Sequence, residues 1–226
     1  MWPTDAESLI ERQRELARSD PAPWRPAGGD QRFGGCWVCF PRGLCGRGDA
    51  GDVAWVAAVV MCGGVLLEAD VGRGVAGAPY SPGLLALRIG PLMDAAVRAL
   101  STPPDVVLVD ATAHDHPREA GLALHLGTEL GLPTVGITHR PLLAQGTLPE
   151  DHRGDTSPLH LGDTVVGCWM RTRSGVRPLV VHPGWRVDLA TAVDVVAGTT
   201  GQRRTPEPLR RARSLARSAR SADESG

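Results

Sequence analysis

Pro104-Asp105-Val106-Val107-Leu108-Val109-Asp110 sets four aliphatic residues between a Pro-Asp turn and a closing acid. Four residues are too few for a helix, and a run apolar on every position reads as a strand buried on both faces. A strand of that kind needs helices above and below it, and the flanking chain should supply them. Upstream, Leu84 to Leu100 spaces Leu84, Leu87, Leu92 and Ala95 near a helical period, with Pro91 expected to kink or interrupt it. Downstream, His116-Pro117 is expected to open a helix that stops at Gly131, a residue suited to the left-handed position after a helix. Thr134 to Ile137 is a second short buried strand. Val165 to Met170 and Leu179 to Val181 read as two more, and Val187 to Val196 as a helix.

Three runs before the Leu84 helix have a different character. Arg32 to Phe40, Asp52 to Cys62 and Val65 to Val71 are separated by the Gly-rich turn Gly43 to Gly51 and by Gly63-Gly64. Short turns between apolar runs predict an antiparallel meander. At the N-terminus, Thr4-Asp5-Ala6-Glu7 reads as a capping box for a helix to about Arg18, with Leu9, Ile10 and Leu16 facing the core.

Composition limits the function classes. Net charge is −1, so no global basic field draws in nucleic acid. All 24 basic residues are arginine, whose planar fork suits phosphate, although the Ala, Gly, Pro and Arg richness also fits a GC-rich coding bias. No stretch is apolar for the ~18 residues of a membrane span, and the N-terminus lacks a signal-peptide pattern, so a cytoplasmic, non-membrane protein is expected. Five cysteines form no disulfide framework. Cys36 and Cys39 sit three apart on a strand, with side chains on opposite faces, and read as buried thiols rather than a zinc or redox pair. The expected organisation is one domain over 1–201 and an Arg-rich, flexible tail over 202–226. The tail reads as a solvated, frayed helix, with a phosphate-contacting arm as the alternative.

The order of elements, a meander, a helix, a buried strand ending in Asp and then alternating helices and strands, is ribonuclease H-like. It predicts an α/β fold whose central mixed sheet joins the antiparallel three-strand meander to parallel strands between helices. Particular residues narrow the lineage. Pro79-Tyr80-Ser81-Pro82-Gly83-Leu84-Leu85-Ala86-Leu87-Arg88 resembles the PYxPGFLxFR segment of the endonuclease V family. Pro104 to Asp110, with His116-Pro117-Arg118 and Gly121-Leu122-Ala123, resembles PDxxxVDGxGxxHPRxxGxA. Pro133 to Ile137 resembles PTIGV, and Thr205 to Arg210 resembles LPEPTR. The matches keep their order.

The resemblance implies a nuclease that cuts DNA or RNA near deoxyinosine or inosine. It also implies Mg²⁺ or Mn²⁺ as cofactor, ions that prefer carboxylate oxygen. The family supplies an Asp on the first strand, a Glu after FR, the Asp of VDG and a Lys after PTIGV. Here Asp110 stands at the third of these positions and is the one family carboxylate retained, while Trp37, Ile89 and His139 stand at the others. His116 keeps its family position. The Gly-x-Gly after VDG is Ala111-Thr112-Ala113, and the late GHR-like segment is Gly184-Trp185-Arg186. The expected catalytic set is therefore Asp110, His116 and His139, with Asp110 as a weak metal ligand. The expected nucleic-acid set is Pro79, Tyr80, Ser81, Pro82, Gly83 and Gly136, with Tyr80 either a wedge or merely packed. Cleavage is expected to be impaired or lost, leaving DNA or RNA binding by a monomer.

Two alternatives stay open at this stage. Asp49, Asp52 or Asp115, with His114, could rebuild a metal centre. Or the groove could serve a small-molecule enzyme, lined by Cys36, Trp37, Asp110, His114, His116 and His139.

Overall fold

The structure, a computed structural model, describes residues 1–225. Eight strands form one mixed sheet in the order β3-β2-β1-β4-β5-β8-β7-β6. The meander is β1 (Arg32–Cys39), β2 (Val53–Cys62) and β3 (Val65–Val75). β3 runs four residues beyond its expected end, since each residue from Val71 to Val75 pairs with β2. The buried run Val106–Val109 is β4, parallel to both β1 and β5 (Thr134–Thr138). Fully buried side chains at all four β4 positions match a central strand covered on both faces. Beyond β5, β8 (Leu179–Pro183), β7 (Thr164–Met170) and β6 (Thr156–Leu161) are antiparallel. Strand β6, which carries Pro158, is not among the strands expected from the sequence. It is an edge strand, where a missing N–H costs least.

One face of the sheet packs against α1 (Ala6–Ala17), α2 (Leu85–Arg98) and α3 (Leu122–Leu130). The other face packs against α4 (Leu189–Thr200) and α5 (Glu207–Asp223). Helix α1 is capped by the Asp5 carboxylate, which accepts from the Ser8 N–H at 2.9 Å, rather than by Thr4. Leu9 and Leu16 are buried while Ile10 is only partly so. Helix α2 passes through Pro91 without interruption.

Two expectations need correction. The helix expected from His116 begins at Leu122 instead. Residues 111–121 form a loop whose end, Gly121, packs so closely on Thr112 that a Cβ there would lie 2.3 Å from the Thr112 carbonyl oxygen. The second correction concerns the segment from Gln202, expected as a flexible tail. It carries α5, which lies across β1 and β2 with Leu209, Ala212 and Ala216 buried. Gly35 permits this: a Cβ there would stand 2.5 Å from the Pro208 carbonyl carbon. Asp223 accepts from the Trp55 indole N–H at 2.8 Å, and Arg220 donates to the Phe40 carbonyl at 3.1 Å. Among the described residues no helix is long and apolar enough to cross a membrane.

Candidate nucleic-acid interface

Parallel pairing of β1 with β4 ends at Cys36 and Val109, so Trp37 and Asp110 are the next residues along the two strands. Asp110 leaves the carboxyl end of β4 and lines a cleft of about 220 Å³ with Tyr80, Gly83, Thr112, His116 and Thr138. Burial pushes its carboxyl up to about 6, and the nearby Arg213 charge acts in the opposite direction. Among the described residues no other carboxylate lines the cleft. Trp37 packs between β2 and α5, with the Arg213 guanidinium carbon 5.5 Å from its ring centroid. Ile89 is 8% exposed and belongs to the core beneath α2.

Residues 79–83 form the rim of this cleft and are braced at both ends. Arg88 is buried, and it donates to the Ala78 carbonyl at 2.7 Å and to Asp52 at 2.7 Å. The same guanidinium lies 4.2 Å from the centre of the Phe40 ring. The Tyr80 N–H donates to the Arg47 carbonyl, tying this loop to the Gly-rich turn. At the far end, the Gly83 carbonyl meets Arg118 at 2.6 Å, Gln13 at 3.1 Å and His116 Nε2 at 3.2 Å. Gly83 itself has φ +76, which glycine adopts without strain. The loop is rigid, yet the Tyr80 side chain stays 45% exposed at its crest.

His116 is fully engaged in this bracing. Its Nδ1 accepts from the Arg118 N–H, so Nε2 carries the proton directed at Gly83. Burial first, then the Arg118 charge, pushes its pKa down to about 4, and the ring is neutral. Arg118 in turn donates to the Gln13 side chain at 2.6 Å. Gln13 on α1 is a site residue that the sequence did not single out, because nothing local ties it to a loop seventy positions away.

The other sequence candidates are dispersed. His139 is exposed near α5, where burial and then the Arg204 and Arg213 charges lower its pKa. Gly136 is buried within β5, and a Cβ there would stand 2.4 Å from the Ala111 carbonyl oxygen. Close packing of β5 on the 111–121 loop accounts for that glycine. Asp115 is wholly buried and accepts from the N–H groups of Leu142, Leu143 and Ala144 at 2.6–2.8 Å. It anchors the loop after β5 and has no free oxygen for a metal. Asp52 is held by Arg88 and by the Asp49 N–H, which keep its carboxyl below the usual range.

Cys36 and His114 do not join the cleft. Cys36 faces the α2 core while Cys39 faces α5, and burial pushes the Cys36 thiol up to about 12. His114 lines a separate hollow with Asp20 and Arg186. The Cys/His/Trp-lined groove expected as a small-molecule alternative is therefore not assembled. Among the described residues, no three His, Cys, Asp or Glu side chains are grouped to hold a metal ion. A cleft with Asp110 as its one carboxylate among the described residues does not fit a carboxylate-bound Mg²⁺ or Mn²⁺.

Comparison with known proteins gives the lineage. The sequence profile of the endonuclease V family matches residues 45–214. That stretch begins after β1, so Trp37 lies outside it. The endonuclease V of Streptomyces coelicolor is 45% identical over 175 residues, covering 76% of this chain and 74% of that protein. The crystal structure of Streptomyces avermitilis endonuclease V superposes with a TM-score of 0.85 at 35% identity, covering 99% of this chain and 96% of that one. The catalytic domain of human endonuclease V gives 0.86 at 30% identity, covering 99% of each chain. The Ciona intestinalis endonuclease V, solved with a 24mer DNA containing an inosine followed by a ribo-adenosine, shares the fold at 20% identity, with a TM-score of 0.80 and coverage of 96% and 97%. By profile, by sequence identity and by the ribonuclease H-like mixed sheet, this chain belongs to the endonuclease V family.

Proposed function

We propose that this protein binds DNA or RNA strands carrying deoxyinosine or inosine, and that its strand-cleaving centre is impaired or lost. The observation that carries this reading is the pairing of a braced, Tyr80-bearing rim with a cleft whose sole carboxylate is Asp110. Hydrolysis of a phosphodiester by a bound divalent cation needs several anionic ligands around it. Trp37 and Ile89 offer none. What its own residues can do is position a strand. Tyr80 is half exposed on a loop fixed by Arg88, Gln13, His116 and Arg118, and presents an aromatic face for stacking against a base. The Ciona relative, solved with inosine-containing DNA, supports the ligand class.

The test is a paired assay on one oligonucleotide with and without a single deoxyinosine, and on its inosine-containing RNA counterpart. Binding at low salt without strand cleavage in either Mg²⁺ or Mn²⁺ is expected. Cleavage that disappears in Asp110→Ala would overturn the impaired centre, and absence of binding at low salt would overturn the binding reading. A converse experiment adds ligands back. Trp37→Asp combined with Ile89→Glu should gain a metal-dependent rise in thermal stability that the parent chain lacks.

A further inference from the structure

A charged group stands close to where the family's first carboxylate would be. Arg213, on α5, stacks over Trp37, and its charge reaches Asp110, where it acts against the effect of burial. Alongside it, Arg210, Arg213 and Arg217 with Ser214, Ser218 and Ser221 line a groove of about 550 Å³. These positions recur every three or four residues, so they share one exposed face of the helix. Their charge states differ. Arg210 and Arg211 are both paired with Glu207, and Arg220 lies 3.8 Å from Glu224. Among the described residues, Arg213 and Arg217 have no acidic partner within salt-bridge distance. His139 borders the same positive field, with Arg204 and Arg213 both acting on it. The opposite face of α5 is buried through Leu209, Ala212 and Ala216, which fixes the arginine face outward.

We infer that Arg213 and Arg217 form a metal-independent grip on the phosphodiester backbone, with Arg213 supplying beside Asp110 the positive charge that a divalent cation would otherwise bring. This inference rests on the nucleic-acid-binding reading above. A guanidinium fork delivers one positive charge and parallel N–H donors to phosphate oxygens, without requiring a cage of carboxylates. Trp37 gives the fork a flat apolar platform, which limits its freedom before the strand arrives. The Ser214 and Ser218 hydroxyls, one turn apart, add neutral donors along the same track. Each carboxylate removed also removes a repulsion between the protein and its polyanionic ligand.

The experiment is fluorescence anisotropy with a labelled, deoxyinosine-containing single strand, titrated against the full chain in EDTA and in Mg²⁺ across a salt series. Equal affinity in EDTA and Mg²⁺ is expected, with log Kd rising linearly in log salt. Arg213→Gln and Arg217→Gln should each flatten that slope by about 0.7, the contribution of one phosphate contact on a single strand. Each should also weaken binding several-fold at low salt. Arg213→Lys keeps the charge and should keep most of the slope while losing part of the affinity. Arg211→Gln, on the same helix but engaged by Glu207, should leave the slope unchanged. Circular dichroism melts on each variant separate a lost contact from a lost fold. Binding that needs Mg²⁺, or a slope unmoved in folded Arg213→Gln and Arg217→Gln, would overturn the arginine grip while leaving nucleic-acid binding standing. No binding by the parent chain in either buffer would instead overturn both.

Discussion

Replacing Asp110 by Asn should stabilise this protein, and the gain should depend on pH in a defined way. Asp110 is the carboxylate expected to be indispensable if the site works as a metal centre, so loss of stability is the ordinary expectation. The structure gives the opposite sign. Burial raises the carboxyl from an ordinary 3.8 to about 6, with Arg213 offsetting only part of the shift. A group whose folded pKa is raised binds its proton more tightly in the native state than in the unfolded chain. Stability therefore falls as pH rises from about 4 through 6, and the loss is complete above roughly pH 7. A shift of about 2 pKa units at 1.36 kcal/mol each puts the full cost near 3 kcal/mol. About half of it is already present at pH 5 by the same linkage relation. Asn keeps the shape and cannot ionise. Melting of Asp110→Asn against the parent chain should therefore show a gain that is small near pH 4 and grows to a plateau by pH 7. For a chain of this length the plateau corresponds to roughly 5–10 °C. Mg²⁺ should add nothing to the parent's melting temperature. A loss of stability in Asp110→Asn, a gain independent of pH, or a Mg²⁺-induced rise in the parent would each show that burial does not hold this carboxyl protonated.

Other perturbations test the scaffold. Gly35→Ala forces a methyl into the Pro208 backbone, and should cost about 1–3 kcal/mol as overpacking; urea titration gives the loss, and early proteolysis within 202–225 should report α5 lifting. Asp115→Ala leaves the N–H groups of Leu142, Leu143 and Ala144 without their acceptor, the last of them buried, and should cost about 1–3 kcal/mol, with hydrogen exchange rising first at Leu142 to Ala144. Arg88→Met removes the tie between Asp52 and the Ala78 carbonyl, and should raise amide exchange at Tyr80 before any change in strands β4 or β5.

Some of this was legible in the chain and some was not, for physical reasons. Val106 to Val109 announced a central strand because burial on both faces leaves no polar position to confuse the pattern. The PYSPG stretch announced a rigid loop because two prolines and a left-handed glycine leave few alternatives. The docking of helix α5 on the sheet was hidden by its own composition. Its buried stripe of Leu209, Ala212 and Ala216 is small and diluted by arginine, so the segment reads as solvated until β1 presents a glycine to receive it. His116 and Asp115 were legible as chemically capable residues but not as occupied ones, since their partners at Gly83 and at Leu142 to Ala144 are brought to them only by the fold. The stacking of Arg213 on Trp37 joins residues 176 positions apart, and no spacing rule reaches that far. The absence of a second carboxylate was visible at Trp37 and Ile89. What the structure added is that Asp52 and Asp115, the nearby candidates for replacement, are committed elsewhere.

The Gly83 carbonyl has a consequence for how this protein responds to change. Three donors from two distant segments, Gln13 on the first helix and His116 and Arg118 on the loop after β4, converge on a single oxygen. An acceptor with two lone pairs cannot satisfy three donors independently, so their contributions are shared. Losing one lets the remaining two tighten, and losing a second exposes the whole burden at once. The bond set should act as a buffer: tolerant of any single lesion, abrupt at the next, with a coupling energy between Gln13 and Arg118 that neither residue reveals alone. The orientation of the tyrosine at the rim is in that sense a collective property of the N-terminal helix and the central sheet, protected by redundancy rather than by any one contact.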